Sequence, residues 1–234
     1  MKQTLTLIIL VLIITSCISK KKDFIDEPEC NKNCVTLNGF LLTGDGTIPV
    51  ENTLVEVLWD GSSYFNLNLR DKATAFSDKN GFYEMKFILR EDEINEGFFR
   101  VKIYPGDEYL LCNLSDVHQF TYFFLKEDST YTTNYLIPQK ATLVLKSQGA
   151  ENMKEDDSFF VTVSTPYGAN LNYNCGLLIS WRRDNYDKIH EWSAGSNQNI
   201  VIEKNIKKNG IRKITNDTLI LPTGHKLEYV IPFD

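Results

Sequence analysis

Apolar residues recur at every second position through most of this chain. In the clearest case Tyr83, Met85, Phe87 and Leu89 alternate with Glu84, Lys86 and Ile88. A period of two sends one set to a buried face and the other outward, which predicts a strand. Phe99, Val101 and Ile103 repeat the arrangement after an acidic loop, Glu91 to Glu96. An earlier run carries Val35, Leu37 and Leu41 and stops at Thr43-Gly44-Asp45-Gly46. The next places Val55, Val57 and Trp59 on one face and ends at Asp60-Gly61. Gly and Asp tolerate the positive φ that tight turns need. Ala73 to Phe76, Tyr109 to Leu114 and Phe120 to Leu125 complete the first half. Only the acidic segment Arg90 to Gly97 has a helical look.

The second half continues in short runs. Ala141 to Lys146, Phe159 to Ser164, Gly176 to Arg182, Ile200 to Ile206, Ile211 to Ile214, Thr218 to Leu221 and Lys226 to Phe233 are punctuated by Gly, Asn and Pro. About seven strands of that length fit a sandwich. The fold class expected is therefore all-β, with two consecutive β-sandwich domains. The polar stretch Lys126 to Thr133 is the expected junction, so the domains are placed at 34–130 and 131–234.

One stretch breaks the alternation. Leu5 to Ile14 is apolar except for Thr6, follows Lys2, and runs into Thr15-Ser16-Cys17. Charge, greasy core and small residues in that order are the grammar of a signal peptide. A membrane-spanning helix needs about 20 apolar residues, roughly twice this run. An aliphatic residue, two small residues and a cysteine resemble a bacterial lipobox. The resemblance implies a leader at 1–16, cleavage before Cys17, lipidation of Cys17 and anchoring to the outer membrane. Several acyl chains on one cysteine hold a protein firmly. Residues 17–33 then read as a flexible tether, too poor in apolar side chains to order themselves. Lys20, Lys21 and Lys22 stand beside the lipid, where each favours anionic headgroups by about 1 kcal/mol. The surface-export cue of Bacteroidetes lipoproteins has acidic residues there instead.

The first half also resembles the carboxypeptidase-regulatory-like, or transthyretin-like, sandwich. The matching features are the strand ending in Gly39, the loop Thr47-Ile48-Pro49-Val50, the strand Leu54 to Trp59, and Asp78-Lys79-Asn80-Gly81 followed by Phe82-Tyr83. The family usually has Gly where this chain has Pro49. The resemblance implies a non-catalytic accessory or adhesion module. Asp128-Ser129-Thr130 and Asp217-Thr218-Leu219 resemble three-residue sites that Bacteroidetes glycosylate.

Composition narrows the function classes. Loss of residues 1–16 removes only Lys2 among charged residues, leaving 24 basic and 31 acidic side chains and a formal charge of −7. Such a chain is not built for nucleic acid, whose binding draws on phosphate neutralisation. Besides Cys17 there are four cysteines, Cys30, Cys34, Cys112 and Cys175. In an oxidising compartment they are candidates for disulfides, and three full pairings stand open. One Cys-x3-Cys pair without a downstream Cys/His pair does not make a zinc site. Asp78-x-Asn80-Gly81 looks like half of a calcium loop, but the position where an EF-hand carries its closing carboxylate is Leu89.

No metal and no cofactor is expected. His118, His190 and His225 are scattered, and neither Gly-x-Ser-x-Gly nor His-Glu-x-x-His occurs. The densest aromatic and polar cluster is Trp181, Tyr186 and Trp192 with Arg182, Arg183 and His190. Exposed aromatics there would stack on sugar rings, making the three aromatics candidate ligand-binding residues; the other reading puts Trp181 in the core, with Tyr186 and Trp192 flanking an ordinary hairpin. The function expected is a non-enzymatic, lipid-anchored cell-envelope module. Its partners are the membrane through the N-terminal lipid and a glycan or an envelope protein. A hydrolase with loop-borne carboxylates and a subunit of a surface fibre are the alternatives.

Overall fold

The computed structural model describes residue 30 and residues 32–63, 67–112, 117–171 and 173–234. The expected leader, Cys17 and most of the tether lie outside the described residues. Nine strands precede residue 137: β1 (Cys34–Thr43), β2 (Ile48–Pro49), β3 (Leu54–Asp60), β4 (Leu69–Phe76), β5 (Phe82–Ile88), β6 (Phe98–Tyr104), β7 (His118–Tyr122), β8 (Ser129–Thr132) and β9 (Tyr135–Leu136). Seven follow: β10 (Lys140–Gln148), β11 (Ser158–Ala169), β12 (Tyr173–Trp181), β13 (His190–Gly195), β14 (Asn199–Lys208), β15 (Ile211–Ile220) and β16 (Lys226–Pro232). The protein is all-β; its described helical residues form two 3₁₀ turns, Glu91–Glu93 and Ala150–Asn152.

The period-two faces pack as expected. The sheet β4-β3-β6-β7 faces β1 and its antiparallel neighbour β5. Val55, Val57, Trp59, Phe99, Val101 and Ile103 from the first meet Leu37, Tyr83, Met85 and Phe87 from the second in one buried cluster. A second cluster sits between the sheet β15-β14-β11-β12 and the sheet β13-β10-β16, built from Leu143, Leu145, Phe159, Val161, Ile179, Trp181, Ile200 and Ile202. The two clusters divide between Ile137 and Ala141. Burying one such aliphatic or aromatic side chain stabilises by about 1.5–3 kcal/mol, so each sandwich interior is held chiefly by this burial.

The polar stretch expected to be the junction is instead a strand. β8 pairs in parallel with β1, Val35 opposite Ser129 and Asn38 opposite Thr132. The glycosylation-like Ser129 and Thr130 therefore lie in a strand and not in a free linker. The two clusters are stitched by β9, which pairs in parallel with β1 (Leu41 opposite Tyr135) and antiparallel with β11 (Gly168 opposite Leu136). Gly39 is required where the chain passes from β8 to β9. A Cβ there would lie 1.9 Å from the Thr133 carbonyl oxygen, so any side chain would push the passing strand away.

The Asp78 turn has a local cause. The Asp78 carboxylate accepts the backbone N–H groups of Asn80 (2.8 Å) and Phe82 (2.9 Å). Gly81 takes φ +76°, and a Cβ on it would meet the Leu41 carbonyl at 2.3 Å. The turn uses both features that the sequence offered to a cation, and among the described residues no group of three His, Cys, Asp or Glu converges.

Three further expectations change. Of the expected run Tyr109 to Leu114, the described residues 109–112 form no strand: Tyr109 makes one bridge, to Gln139. Phe120 to Leu125 stops pairing at Tyr122, which leaves Phe123 and Phe124 exposed. Ile211–Ile220 is one continuous strand and not two.

Candidate functional site

The aromatic cluster singled out in the sequence does not form one face. Trp181 ends β12 and is 1 % exposed. Its ring lies 5.0 Å from that of Phe159, and its indole N–H donates to the Lys188 carbonyl at 2.8 Å. It is a core residue and cannot stack on a ligand. Trp192 is half-buried on β13 and packs against the second cluster and a small third one. Tyr186, at 41 % exposed, is the one aromatic of the three open to solvent. Its carbonyl accepts the Ser147 hydroxyl, which pins the β12–β13 connection to β10.

What the neighbourhood does build is a pocket of about 440 Å³. Two turns make its walls. One is residues 153–158, entering β11; the other is Arg182-Arg183-Asp184, leaving β12. β11 and β12 are antiparallel neighbours, with Phe159 opposite Trp181, so the start of one and the end of the other must meet at the same pole. Phe159 and Trp181 close the floor from the core side, and Phe160, on the opposite face of β11, stands part-exposed at the side.

Each wall is fixed by backbone hydrogen bonding. Arg182 N–H donates to the Asn185 side-chain oxygen (2.5 Å), Asn185 N–H to the Arg182 carbonyl (3.1 Å) and Lys188 N–H to the Asn185 carbonyl (3.0 Å). Opposite, Asp157 accepts the N–H groups of Lys154 (2.9 Å) and Asn209 (2.8 Å). Those backbone donors, Lys154 first, hold its carboxyl below the usual range. Lys154 donates to the Asn209 side-chain oxygen at 2.6 Å, so its ammonium is engaged in tying the turn to the β14–β15 hairpin.

Arg182 and Arg183 differ. Neither forms an ion pair among the described residues. A guanidinium presents a planar fork of donors that matches a carboxylate and stacks on rings. Two such forks beside an apolar floor can take a group that is both flat and anionic. Glu155 and Asp184 also line the pocket, which sets acceptors for hydroxyls near the cationic forks. Sequence reasoning had named Arg182 and Arg183 beside Trp181. It missed Lys154, Asp157 and Phe160, because only the antiparallel register brings them to the same pole.

The remaining candidates separate. Cys30 and Cys34 form a disulfide with a Cα–Cα distance of 5.7 Å, at the start of β1. Cys112 and Cys175 carry free thiols. His118 and His190 lie on different strands, β7 and β13. Asp217 of the second glycosylation-like triplet accepts the Lys204 ammonium (2.7 Å) and the Tyr229 hydroxyl. Burial and that hydrogen bond push the Tyr229 phenol up to about 12. Among the described residues no helix is long and apolar enough to cross a membrane.

No protein-family model matches the chain, and no curated protein matches it. Solved structures do. The shaft pilin SpaA from Lactobacillus rhamnosus GG is similar at 9 % identity and a TM-score of 0.30, over 87 % of this chain and 98 % of that one. A proposed cell adhesion protein from Bacteroides ovatus is similar at 10 % identity and 0.29, over 85 % and 92 %. A streptococcal ancillary pilin is similar at 8 % identity and 0.32, over 86 % of this chain and 63 % of that one.

Proposed function

We propose that this protein is a non-enzymatic, lipid-anchored module of the cell envelope that binds a glycan or a protein partner at the pole of its second sandwich. The carrying observation is the pocket lined by Phe159, Trp181, Arg182 and Arg183, in which neither arginine forms an ion pair among the described residues. Its chemistry favours a carboxylate-bearing ring or a side-chain carboxylate: an acidic sugar residue on a glycan, or an acidic peptide segment. Lipidation of Cys17 would hold the module at the outer membrane while residues 18–33 let it reach its ligand.

The test uses the mature chain in calorimetric titrations against uronic-acid oligosaccharides, neutral oligosaccharides and acidic peptides. The anionic ligands are expected to bind, and the Arg182→Ala/Arg183→Ala pair to weaken them at least tenfold, since charge-assisted bonds are worth about 1.5–3 kcal/mol each. Equal binding by the double variant would remove the pocket from the reading. Turnover of a glycan substrate, abolished by one carboxylate substitution, would replace the module with a hydrolase.

The fibre-subunit reading has its own observation. β15 pairs with β14 on one side alone and exposes Ile211, Ile214 and Ile220 over a ten-residue edge. Open edges of that length are templates for another strand. A crosslinking ladder on cells, in place of a monomer, would favour it.

A further inference from the structure

We propose that Cys112 and Cys175 are the site of a second disulfide, one that covalently joins the two sandwiches. Cys175 lies on β12 opposite Thr165 of β11 and is 7 % exposed. Cys112 lies in the connection between β6 and β7 and is half-buried. The two side chains meet in a small apolar cluster with Leu110, Tyr167 and Trp192, and Trp192 also borders the second main core. Their side chains pack in that one cluster, each thiol the other's neighbour.

The approach is not accidental to a loose loop. Leu110 N–H donates to the Pro138 carbonyl at 2.7 Å, and the Leu110 carbonyl accepts His118 Nε2 at 2.9 Å. Tyr109 bridges Gln139. These contacts anchor the chain two and three residues before Cys112. A disulfide needs Cα atoms about 4.4–6.8 Å apart and sulfurs about 2.05 Å apart, and two thiols packed in one side-chain cluster can close that gap by side-chain rotation. A metal is the other use for paired thiols. The nearby His118 spends both ring nitrogens, on Tyr135 and Leu110, and no third ligand converges among the described residues.

The chemistry is an exchange. The oxidant is a protein or small-molecule disulfide, and it rests on the exported reading above, because such oxidants persist outside the cytoplasm. The half-buried Cys112, the more accessible of the two, gives up its proton, attacks one sulfur of the oxidant and releases the first thiol. Cys175, deprotonated, then attacks the Cys112 sulfur of the mixed disulfide and releases the second. Two thiols are oxidised, one disulfide is reduced to two thiols, and the two protons leave with them. The neighbouring thiol raises Cys112 and lowers Cys175, which suits Cys175 to the second, resolving attack.

The bond closes a loop of roughly 60 residues, for which loss of the constraint is expected to lower Tm by on the order of 10 °C. The full mature chain is reduced, then reoxidised with oxidised glutathione under native conditions, and its thiols are counted after denaturation. Zero free thiols and a Cys112–Cys175 crosslinked peptide are expected. Treatment with reductant should lower Tm in the wild type, and the fall should be smaller in the Cys112→Ala/Cys175→Ala variant, which retains only Cys30–Cys34. Two thiols persisting after oxidation, or Cys112 joined to Cys30 or Cys34, would overturn the proposal. Should the variant not fold, the wild-type thiol count and peptide map still decide. If the pair closes with glutathione but is found reduced in protein alkylated directly in cells, the pairing stands and the exported reading falls.

Discussion

Replacing Glu93 by Ala is expected to cost about 3–5 kcal/mol, close to half the stability of an ordinary domain. Glu93 sits in the 3₁₀ turn after β5 with its side chain 0 % exposed, and Lys72 on β4 is buried beside it at 4 %. Lys72 Nζ donates to Oε2 at 2.6 Å, Arg70 Nη1 to Oε1 at 3.1 Å, and the Arg90 backbone N–H to Oε2 at 3.1 Å. Asp92 takes the rest of the Arg70 fork, while the Arg70 guanidinium lies 4.5 Å over the Trp59 ring. Removing one carboxylate leaves an ammonium buried against Phe87 with no counter-charge.

The pH dependence distinguishes this from simple cavity formation. Burial pulls the Lys72 pKa below its usual value, and Glu93 pulls it back up. Without Glu93 it falls further. Below the folded pKa the buried charge carries its full penalty, and the penalty disappears as the pH rises past the unfolded value of about 10.4. Urea titrations at pH 7 and pH 10 should therefore show the Glu93→Ala deficit shrinking at the higher pH. A Lys72→Met/Glu93→Leu pair should recover most of the loss at pH 7, because hydrophobic replacement of a whole buried pair is often neutral. A deficit that is equal at both pH values and unrelieved in the double variant would show that the pair is not the cause.

That ion cluster was invisible in the sequence. Lys72 and Glu93 are 21 residues apart, and each reads as an ordinary solvated charge until β4 and the turn after β5 are brought together. The faces of β3, β5 and β6 were legible because a core on one side leaves a period of two in the residues. β8 was not, since Ser129-Thr130-Tyr131-Thr132 carries no apolar alternation and its parallel pairing to β1 comes with no turn signal nearby. β15 was split in two by Asn216-Asp217. Asp217 looks like a breaker, yet its carboxylate is turned to Lys204 and Tyr229, which makes it a half-buried strand residue. The same limit applies to the pocket. For Trp181 the sequence offered both a core position and a ligand-facing one, and only the layers packed over the end of β12 decide for the core.

His118 is expected to make the joint between the sandwiches acid-sensitive. The ring is 2 % exposed on β7, with Nε2–H donating to the Leu110 carbonyl at 2.9 Å and Nδ1 accepting the Tyr135 hydroxyl at 3.2 Å. Tyr135 lies on β9, the strand that pairs with both β1 and β11, and the Tyr167 ring of β11 lies 6.0 Å from the imidazole. Both facing phenols stay neutral in acid, so no carboxylate there rewards a proton on the ring. Burial accordingly lowers the His118 pKa from 6.5 to about 4. Between those values the unfolded chain binds a proton that the folded protein refuses, so stability is complete above pH 6.5 and falls as the pH drops toward 4. The difference amounts to roughly 3 kcal/mol. His118→Gln keeps a donor and an acceptor but cannot titrate. Measured by urea unfolding, the wild type should lose about 3 kcal/mol relative to this variant between pH 7 and pH 4, whatever the carboxylates common to both contribute. Parallel curves would mean that the folded protein admits the proton, and that the joint is wetter around Tyr135 and Leu110 than this packing allows.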